Sequence, residues 1–265
     1  MICIGIIGAA GRMGQRLIDL TLAADELELV GAIEAEGHPA LGTDAGCGSS
    51  KTHLAITADL QALLPACDVV IDFSSRDRAV DNCRQTLAAG CGFVLGTTGL
   101  SDAEKEEIHR LAAGGGRLVF APNFSVGINL MFAVCGQIAE ALGSEYDIEV
   151  VEMHHNQKLD APSGTAERIG EVLAAARGLD YAADTVHGRH GQVGKRPRDQ
   201  IGMHALRGGD VVGEHTVVYA TGGERIELTH RASSRDTFAR GALRAAKFLA
   251  HADPGDYDMK QVLGL

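Results

Sequence analysis

The glycines at positions 8, 11 and 14 constrain this chain more than any other feature. They lie in Gly8-Ala9-Ala10-Gly11-Arg12-Met13-Gly14, directly after an apolar run over residues 2–7 and at the start of a helical stretch. A strand that passes through such a turn into a helix opens a βαβ unit of the kind that binds dinucleotides. In that turn Gly8 permits the tight bend, Gly11 lets the backbone approach a pyrophosphate, and Gly14 lets helix and strand pack closely. The helix N-terminus adds N–H donors and partial positive charge.

The remainder of the first half repeats this grammar. Apolar runs at 27–34, 68–72, 92–95 and 118–120 alternate with helical stretches at 11–24, 76–89 and 101–113. Near-continuous apolar strands separated by helices predict a parallel sheet covered on both faces, an α/β fold of the Rossmann-type doubly wound class. Beyond residue 120 the pattern changes. A helix over 126–142 leads to a strand over 146–153, a polar segment over 154–163 and a helix over 165–177. An aperiodic Gly-, His- and Arg-rich loop at 187–198 follows, then strands at 201–206, 214–221 and 225–230. Strands in series without full helices between them predict a second α+β domain, residues 126–235, with a mixed or antiparallel sheet. The last helix, 237–250, is free to pack back on the first domain, residues 1–125.

Composition narrows the function classes. With 45% hydrophobic residues over 265, the chain can bury one large core or two modest ones. A net charge of −11 excludes a general nucleic-acid surface, so an anionic ligand must be met by a local basic cluster. Cys3, Cys47, Cys67, Cys83, Cys91 and Cys135 form no CxxC pair and read as reduced thiols rather than zinc ligands, so no metal is expected. No signal sequence is evident, and no run reaches the roughly 18–20 apolar residues a membrane span requires. The expected setting is the cytoplasm, without a membrane partner.

Glu34 ends the second strand about twenty residues past the glycine loop, where a carboxylate can accept bonds from adenosine ribose hydroxyls. Ala35 follows it, so no arginine stands there to meet a 2′-phosphate, which Glu34 itself would repel. The expected cofactor is therefore NADH in preference to NADPH, although Arg12 could pair with that phosphate and admit both. Two later loops at carboxyl ends of strands, Gly96-Thr97-Thr98-Gly99 and Ala121-Pro122-Asn123-Phe124, are placed to line the nicotinamide ribose and carboxamide, or are ordinary turns.

The basic cluster lies in the second half. His154, His155 and Lys158 follow a strand and run through Asp160-Ala161-Pro162-Ser163-Gly164-Thr165 into a helix N-terminus. Backbone donors at Gly164 and Thr165 add to the charge of Lys158, which suits an anionic carboxylate. Histidine exchanges protons near neutral pH, and lysine can donate to a developing negative charge.

In these stretches, with Asn123-Phe124-Ser125-Val126-Gly127, Gly213-Glu214-His215 and Ala232-Ser233-Ser234-Arg235, the chain resembles the 4-hydroxy-tetrahydrodipicolinate reductase family, in the same order and over nearly its whole length. The resemblance implies reduction of a cyclic imine dicarboxylate by NADH or NADPH, with loss of water, on the diaminopimelate route to lysine. It implies that His154 gives or takes a proton, that Lys158 is the second proton donor, and that His155, Ser163, Gly164 and Thr165 hold a carboxylate. Glu34, Gly96, Thr97, Thr98, Ala121, Pro122, Asn123 and Phe124 would contact the cofactor together with the glycine loop. The resemblance also implies a homotetramer built through the second domain's sheet, and residues 236–265 returning to the first domain. Arg235 either adds a charge for the substrate or pairs structurally.

Rival classes lack their signatures. None of Tyr146, Tyr181, Tyr219 and Tyr257 has the lysine four residues on that short-chain dehydrogenases need. Cys135, the candidate thiol of an aldehyde dehydrogenase, falls in an apolar helical run where a thiolate is disfavoured. A nucleotide sensor would not need two histidines and a lysine gathered before a helix.

Overall fold

The computed structural model describes residues 1–46 and 51–265, so Cys47 lies outside the described residues. It divides into two compact units. Unit 1 comprises Met1–Val126 and Asp236–Leu265, and unit 2 comprises Gly127–Arg235.

Unit 1 runs β1 (Ile2–Ile7), α1 (Arg12–Leu22), β2 (Leu27–Ile33), α2 (Leu60–Leu63), β3 (Val69–Asp72), α3 (Arg76–Ala88), β4 (Gly92–Leu95), α4 (Asp102–Ala113) and β5 (Arg117–Phe120). The strands form a parallel sheet, and a short strand near the C-terminus of the chain adds to its edge beside β5. In sheet order β2 flanks β1 on one side and β3, β4 and β5 follow on the other. The chain therefore reverses direction between β1 and β3, and the carboxyl ends of those two strands border the crevice where ligands bind in this architecture. All four residues of β3 and of β4 are buried, which is why β4 reads as an unbroken apolar run and β3 as one that is apolar up to Asp72 at its end. Ser101 starts α4 with a reciprocal capping box to Glu104, so this helix begins at Asp102 with Ser101 as its cap.

Unit 2 contains α5 (Val126–Leu142) from its second residue on, β6 (Asp147–His154), α6 (Gly164–Arg177), α7 (Tyr181–Asp184), β7 (Thr185–His187), β8 (Ile201–Arg207), β9 (Gly213–Thr221) and β10 (Glu224–Ala232). Its sheet is mixed, in the order β10-β9-β6-β8-β7. β6 runs parallel to β8 and antiparallel to β9. Ile148, Val150, Val217, Tyr219, Ile201 and Met203 share one core with Ile128, Met131 and Cys135 of α5 and Ile169 and Leu173 of α6.

For one helix the expectation that no run is long and apolar enough for a membrane span does not hold. Val126–Glu145 is long and apolar enough to cross a membrane by length and composition. Its residues 128, 131, 135 and 139, however, recur at helical spacing and are buried in the unit 2 core, while its other faces, Leu130 among them, are also largely apolar.

The chain returns to unit 1 with α8 (Asp236–Leu249), β11 (Gly255–Tyr257) and α9 (Met259–Leu263). Ala239, Ala242, Ala245, Ala246 and Leu249 of α8 belong to the same core as β1, β3, β4 and β5. An ion pair from Arg16 of α1 to Asp236 fixes the start of this helix, at 2.8 Å.

Candidate active site

Two sets of polar residues stand out, one in each unit. In unit 1, Gly8 has φ +78°, a left-handed backbone that favours glycine, and the turn folds back so that Gly11 N–H donates to the Gly8 carbonyl at 3.0 Å. A Cβ on Gly14 would stand 2.1 Å from that carbonyl oxygen, so no larger residue fits between helix and strand. Gly11 is the N-cap of α1 and offers no side-chain acceptor. The first-turn N–H groups therefore lack the usual capping partner, which is the arrangement that receives phosphate.

Glu34, at the end of β2, reaches across to this loop. One carboxylate oxygen accepts from Ala10 N–H at 3.0 Å, and the other accepts from Ala35 N–H at 3.1 Å. The two contacts fix the carboxylate on the wall of a cleft of about 710 Å³, which is also lined by Gly8, Ala10, Gly11, Phe73, Ser74 and Arg78. Phe73 to Arg78 follow β3 and were not singled out from the sequence. The sheet order is the signal that finds them, because β3 is the strand across the crevice from β1.

The other predicted cofactor residues divide by exposure. Thr98 and Pro122 are exposed, and Ala10 and Asn123 are half-buried. Thr97, Ala121 and Phe124 are buried. The Thr97 hydroxyl lies 3.3 Å from Asp72, whose carboxylate also accepts from Ser74 and from Asn82. Asp72 thus ties together the loops after β3 and β4. Arg12 is exposed, Met13 half-buried, and Ala9 fully buried.

In unit 2 the alternation along β6 builds the second set. Ile148, Val150, Glu152 and His154 face the helices and are buried, so two apolar residues are followed, on the same face, by a carboxylate and an imidazole. Glu152 accepts from His154 Nδ1 at 2.7 Å, from both terminal nitrogens of Arg207 at 2.8 and 2.9 Å, and from Ser163 N–H at 3.0 Å. Burial pushes the Glu152 carboxyl up, but hydrogen bonds from Arg207 and His154 outweigh it, and the group titrates below the usual carboxylate range. Burial also lowers the His154 pKa despite the opposing effect of Glu152, so the ring is neutral at pH 7. An ionised carboxylate only accepts, so the His154 proton sits on Nδ1.

His154 Nε2 lies above Gly213, where an added Cβ would come within 3.0 Å of it. The glycine leaves room for the ring. His215 packs edge-on to His154 with centroids 5.2 Å apart, and its Nε2 is 3.3 Å from Ser163 Oγ. Burial pushes His215 down to about 3. Ser163 is itself the N-cap of α6 and accepts from Ala166 N–H, so its buried hydroxyl is committed to the helix and to His215. Gly164, exposed, and Thr165, half-buried, begin the helix itself. Lys158 pairs with Asp160 at 2.9 Å, and Asp160 O accepts from Arg207 at 2.7 Å. His155 is half-buried and anchored by its own N–H to Val211 O. Arg235 is exposed. Among the described residues no cluster of metal-ligating side chains occurs.

Residues 2–124 match the family model described as dihydrodipicolinate reductase, N-terminus, and residues 127–263 match that of its C-terminus. The chain belongs to the dihydrodipicolinate reductase family. Among curated relatives it is 49% identical, over 98% of its length and 97% of theirs, to a 4-hydroxy-tetrahydrodipicolinate reductase of Anaeromyxobacter dehalogenans. It is 47% identical, over the full length of both chains, to one of Citrifermentans bemidjiense. In fold it is similar to a dipicolinate-bound dihydrodipicolinate reductase from Paenisporosarcina, with TM-score 0.76 and 24% identity over 97% of each chain. A likeness in fold alone extends to an amine dehydrogenase of Mycobacterium smegmatis, with TM-score 0.59 and 12% identity over 96% of this chain and 94% of that one.

For this family member, the histidines and lysine of the resemblance fall in one unit with Gly164 and Thr165. The sequence reading missed Glu152 and Arg207 as parts of the site. The period-2 alternation of β6 could have found Glu152, which shares a face with His154. Arg207 lies 53 residues past His154 and becomes its neighbour only through the pairing of β6 with β8.

Proposed function

We propose that this chain reduces 4-hydroxy-tetrahydrodipicolinate to tetrahydrodipicolinate, with loss of water, in the diaminopimelate pathway of lysine biosynthesis. The observation that carries the reading is the loop from His154 to Lys158, which gathers a neutral, proton-exchanging imidazole and the Lys158 ammonium just before the N-terminus of α6, in a chain of net charge −11. A dicarboxylate needs this kind of local reversal of sign.

Residues of unit 1 fit a dinucleotide. The uncapped first turn of α1 would hold the pyrophosphate, with Gly8, Gly11 and Gly14 keeping side chains out of its way. Glu34 would accept the ribose hydroxyls, and its fixed carboxylate favours NADH over NADPH by repelling a 2′-phosphate. Gly96 to Thr98 and Ala121 to Phe124 would line the nicotinamide end. When bound, a reduced nicotinamide supplies a hydride.

The chain's own residues supply binding and protons. N–H groups of Gly164 and Thr165, with His155, would hold one carboxylate of the substrate. His154 is neutral with its proton on Nδ1, so Nε2 takes a proton from substrate and returns it. Lys158 donates a proton to the departing hydroxyl or to the charge that develops on the conjugated imine. A homotetramer in the cytoplasm is the corresponding proposal for assembly and location.

The test is a pair of variants. His154→Ala and Lys158→Ala each lower kcat by about 10²-fold or more, while the Kd for NADH, measured by fluorescence titration, stays within twofold or so of the parent. Near-normal turnover in both variants would overturn these two assignments.

A further inference from the structure

Three elements converge on the Glu152 carboxylate. His154 reaches it from two residues along β6, Arg207 from the paired strand β8, and Ser163 N–H from the start of α6. The carboxylate is 1% exposed, so it has no access to water that could replace any of these partners. Oxygen Oε2 is shared between His154 Nδ1 and Arg207 Nη1, and Oε1 between Arg207 Nη2 and Ser163 N–H. A guanidinium that forks onto both oxygens keeps the carboxylate ionised and leaves one acceptor site on Oε2, which the imidazole fills.

Among the described residues, Nε2 of His154 makes no hydrogen bond to the protein. Two constraints fix where it lies: the Nδ1 contact on one side of the ring, and Gly213, with no side chain, on the other. The charged and titratable groups facing the ring are Glu152 on its own strand, Arg207 on β8, His215 on β9 and Lys158 from the following loop, with Asp160 paired to Lys158. Among the described residues Glu152 is the one anion in direct contact with the ring.

We propose that Glu152 is a positioning residue for proton transfer: it holds His154 as the Nδ1–H tautomer so that Nε2 carries the lone pair offered to substrate, and Arg207 keeps Glu152 ionised for that task. A proton taken at Nε2 gives an imidazolium whose Nδ1–H remains on Glu152, and its return restores the same tautomer. No net change in the pair results from a full cycle. The Arg207 bond to Asp160 O links the same device to the Lys158 segment. The inference rests on the reading of His154 as the proton-exchanging group.

The variants Glu152→Gln and Glu152→Gln with Arg207→Met separate positioning from folding. In the single variant kcat falls about 10²- to 10⁴-fold, as when a tautomer-holding carboxylate is amidated. The acid limb of the kcat profile moves to lower pH, because the one contact that raises the His154 pKa loses its charge while Arg207 and Lys158 remain. ¹⁵N spectra of the ring change from a single Nδ1–H form to a mixture. Removing the stranded guanidinium in the double variant restores thermal stability and NADH binding but neither kcat nor the single tautomer.

Recovery of kcat along with stability in the double variant would show a purely structural role and overturn the proposal. So would an unmoved acid limb, or an unchanged ¹⁵N pattern, in Glu152→Gln. If the parent enzyme itself fails to oxidise NADH with substrate, the functional reading fails instead. The ¹⁵N tautomer measurement still tests the role of Glu152 in that case, because it needs no turnover.

Discussion

Acid should weaken unit 2 through His215. The ring is 3% exposed, and its Nδ1 is buried without a hydrogen-bond partner among the described residues. Its folded pKa of about 3 lies well below the 6.5 of an unfolded histidine. Above pH 6.5 neither state carries the proton, and the group's contribution is fully present. As pH falls through 6.5 the unfolded chain binds a proton that the folded chain refuses, and stability declines by up to about 1.4 kcal/mol per pH unit until the folded pKa is reached. Between pH 7.5 and pH 5 the loss from this single group comes to about 2 kcal/mol. His154 and His230 are shifted in the same direction, so the total slope is steeper, and a difference measurement isolates His215.

The variant is His215→Gln, which keeps an amide near Ser163 and cannot titrate. Urea unfolding at pH 7.5, 6.5, 5.5 and 5 can be followed by tyrosine fluorescence. The chain has no tryptophan, and Tyr146, Tyr181 and Tyr219, three of its four tyrosines, lie in unit 2. The parent should lose about 2 kcal/mol more than the variant over that range. Parallel losses in the two proteins, or a His215 ring resonance titrating near 6.5, would refute the reasoning.

Two further outcomes concern the nucleotide cleft. Gly14→Ala forces a Cβ against the Gly8 carbonyl, so NADH affinity should fall by at least about 10²-fold with unit 2 unaffected, as read by titration and by the stability of unit 2 tyrosines. Glu34→Gln keeps an acceptor for Ala10 N–H but removes the charge, so the NADH-to-NADPH preference in kcat/KM should shift about tenfold toward NADPH.

Contiguity decided what the sequence could disclose. The glycine loop and the His154–Lys158 loop are local, and a strand or helix on either side fixes their meaning. Two further elements were legible for the same reason: α5 over 126–142 by its length, and β4 over 92–95 as a continuous apolar run. The three-residue strands β7 and β11 carry too few residues to show a period and depend on their sheet partners. The stretch over 187–198 read as aperiodic because ions rather than apolar burial hold it. Arg189 and Arg196 both bond Glu149, which they and His204 hold down to about 2 against the opposing effect of burial. Arg207 was not singled out, and His215, though within a stretch of the resemblance, received no role, for a topological reason: His154 meets Arg207, and Glu152 meets His215, only across strand pairs.

Turnover by the unaltered chain is the most direct test of reductase chemistry. Aspartate semialdehyde, pyruvate and the synthase that joins them generate the labile substrate in place, and the absorbance of reduced nicotinamide is followed with NADH and with NADPH. Absorbance should fall only when all components and the chain are present, and faster with NADH. Tight NADH binding with no absorbance loss under those conditions would contradict a reductase and leave a nucleotide sensor in its place.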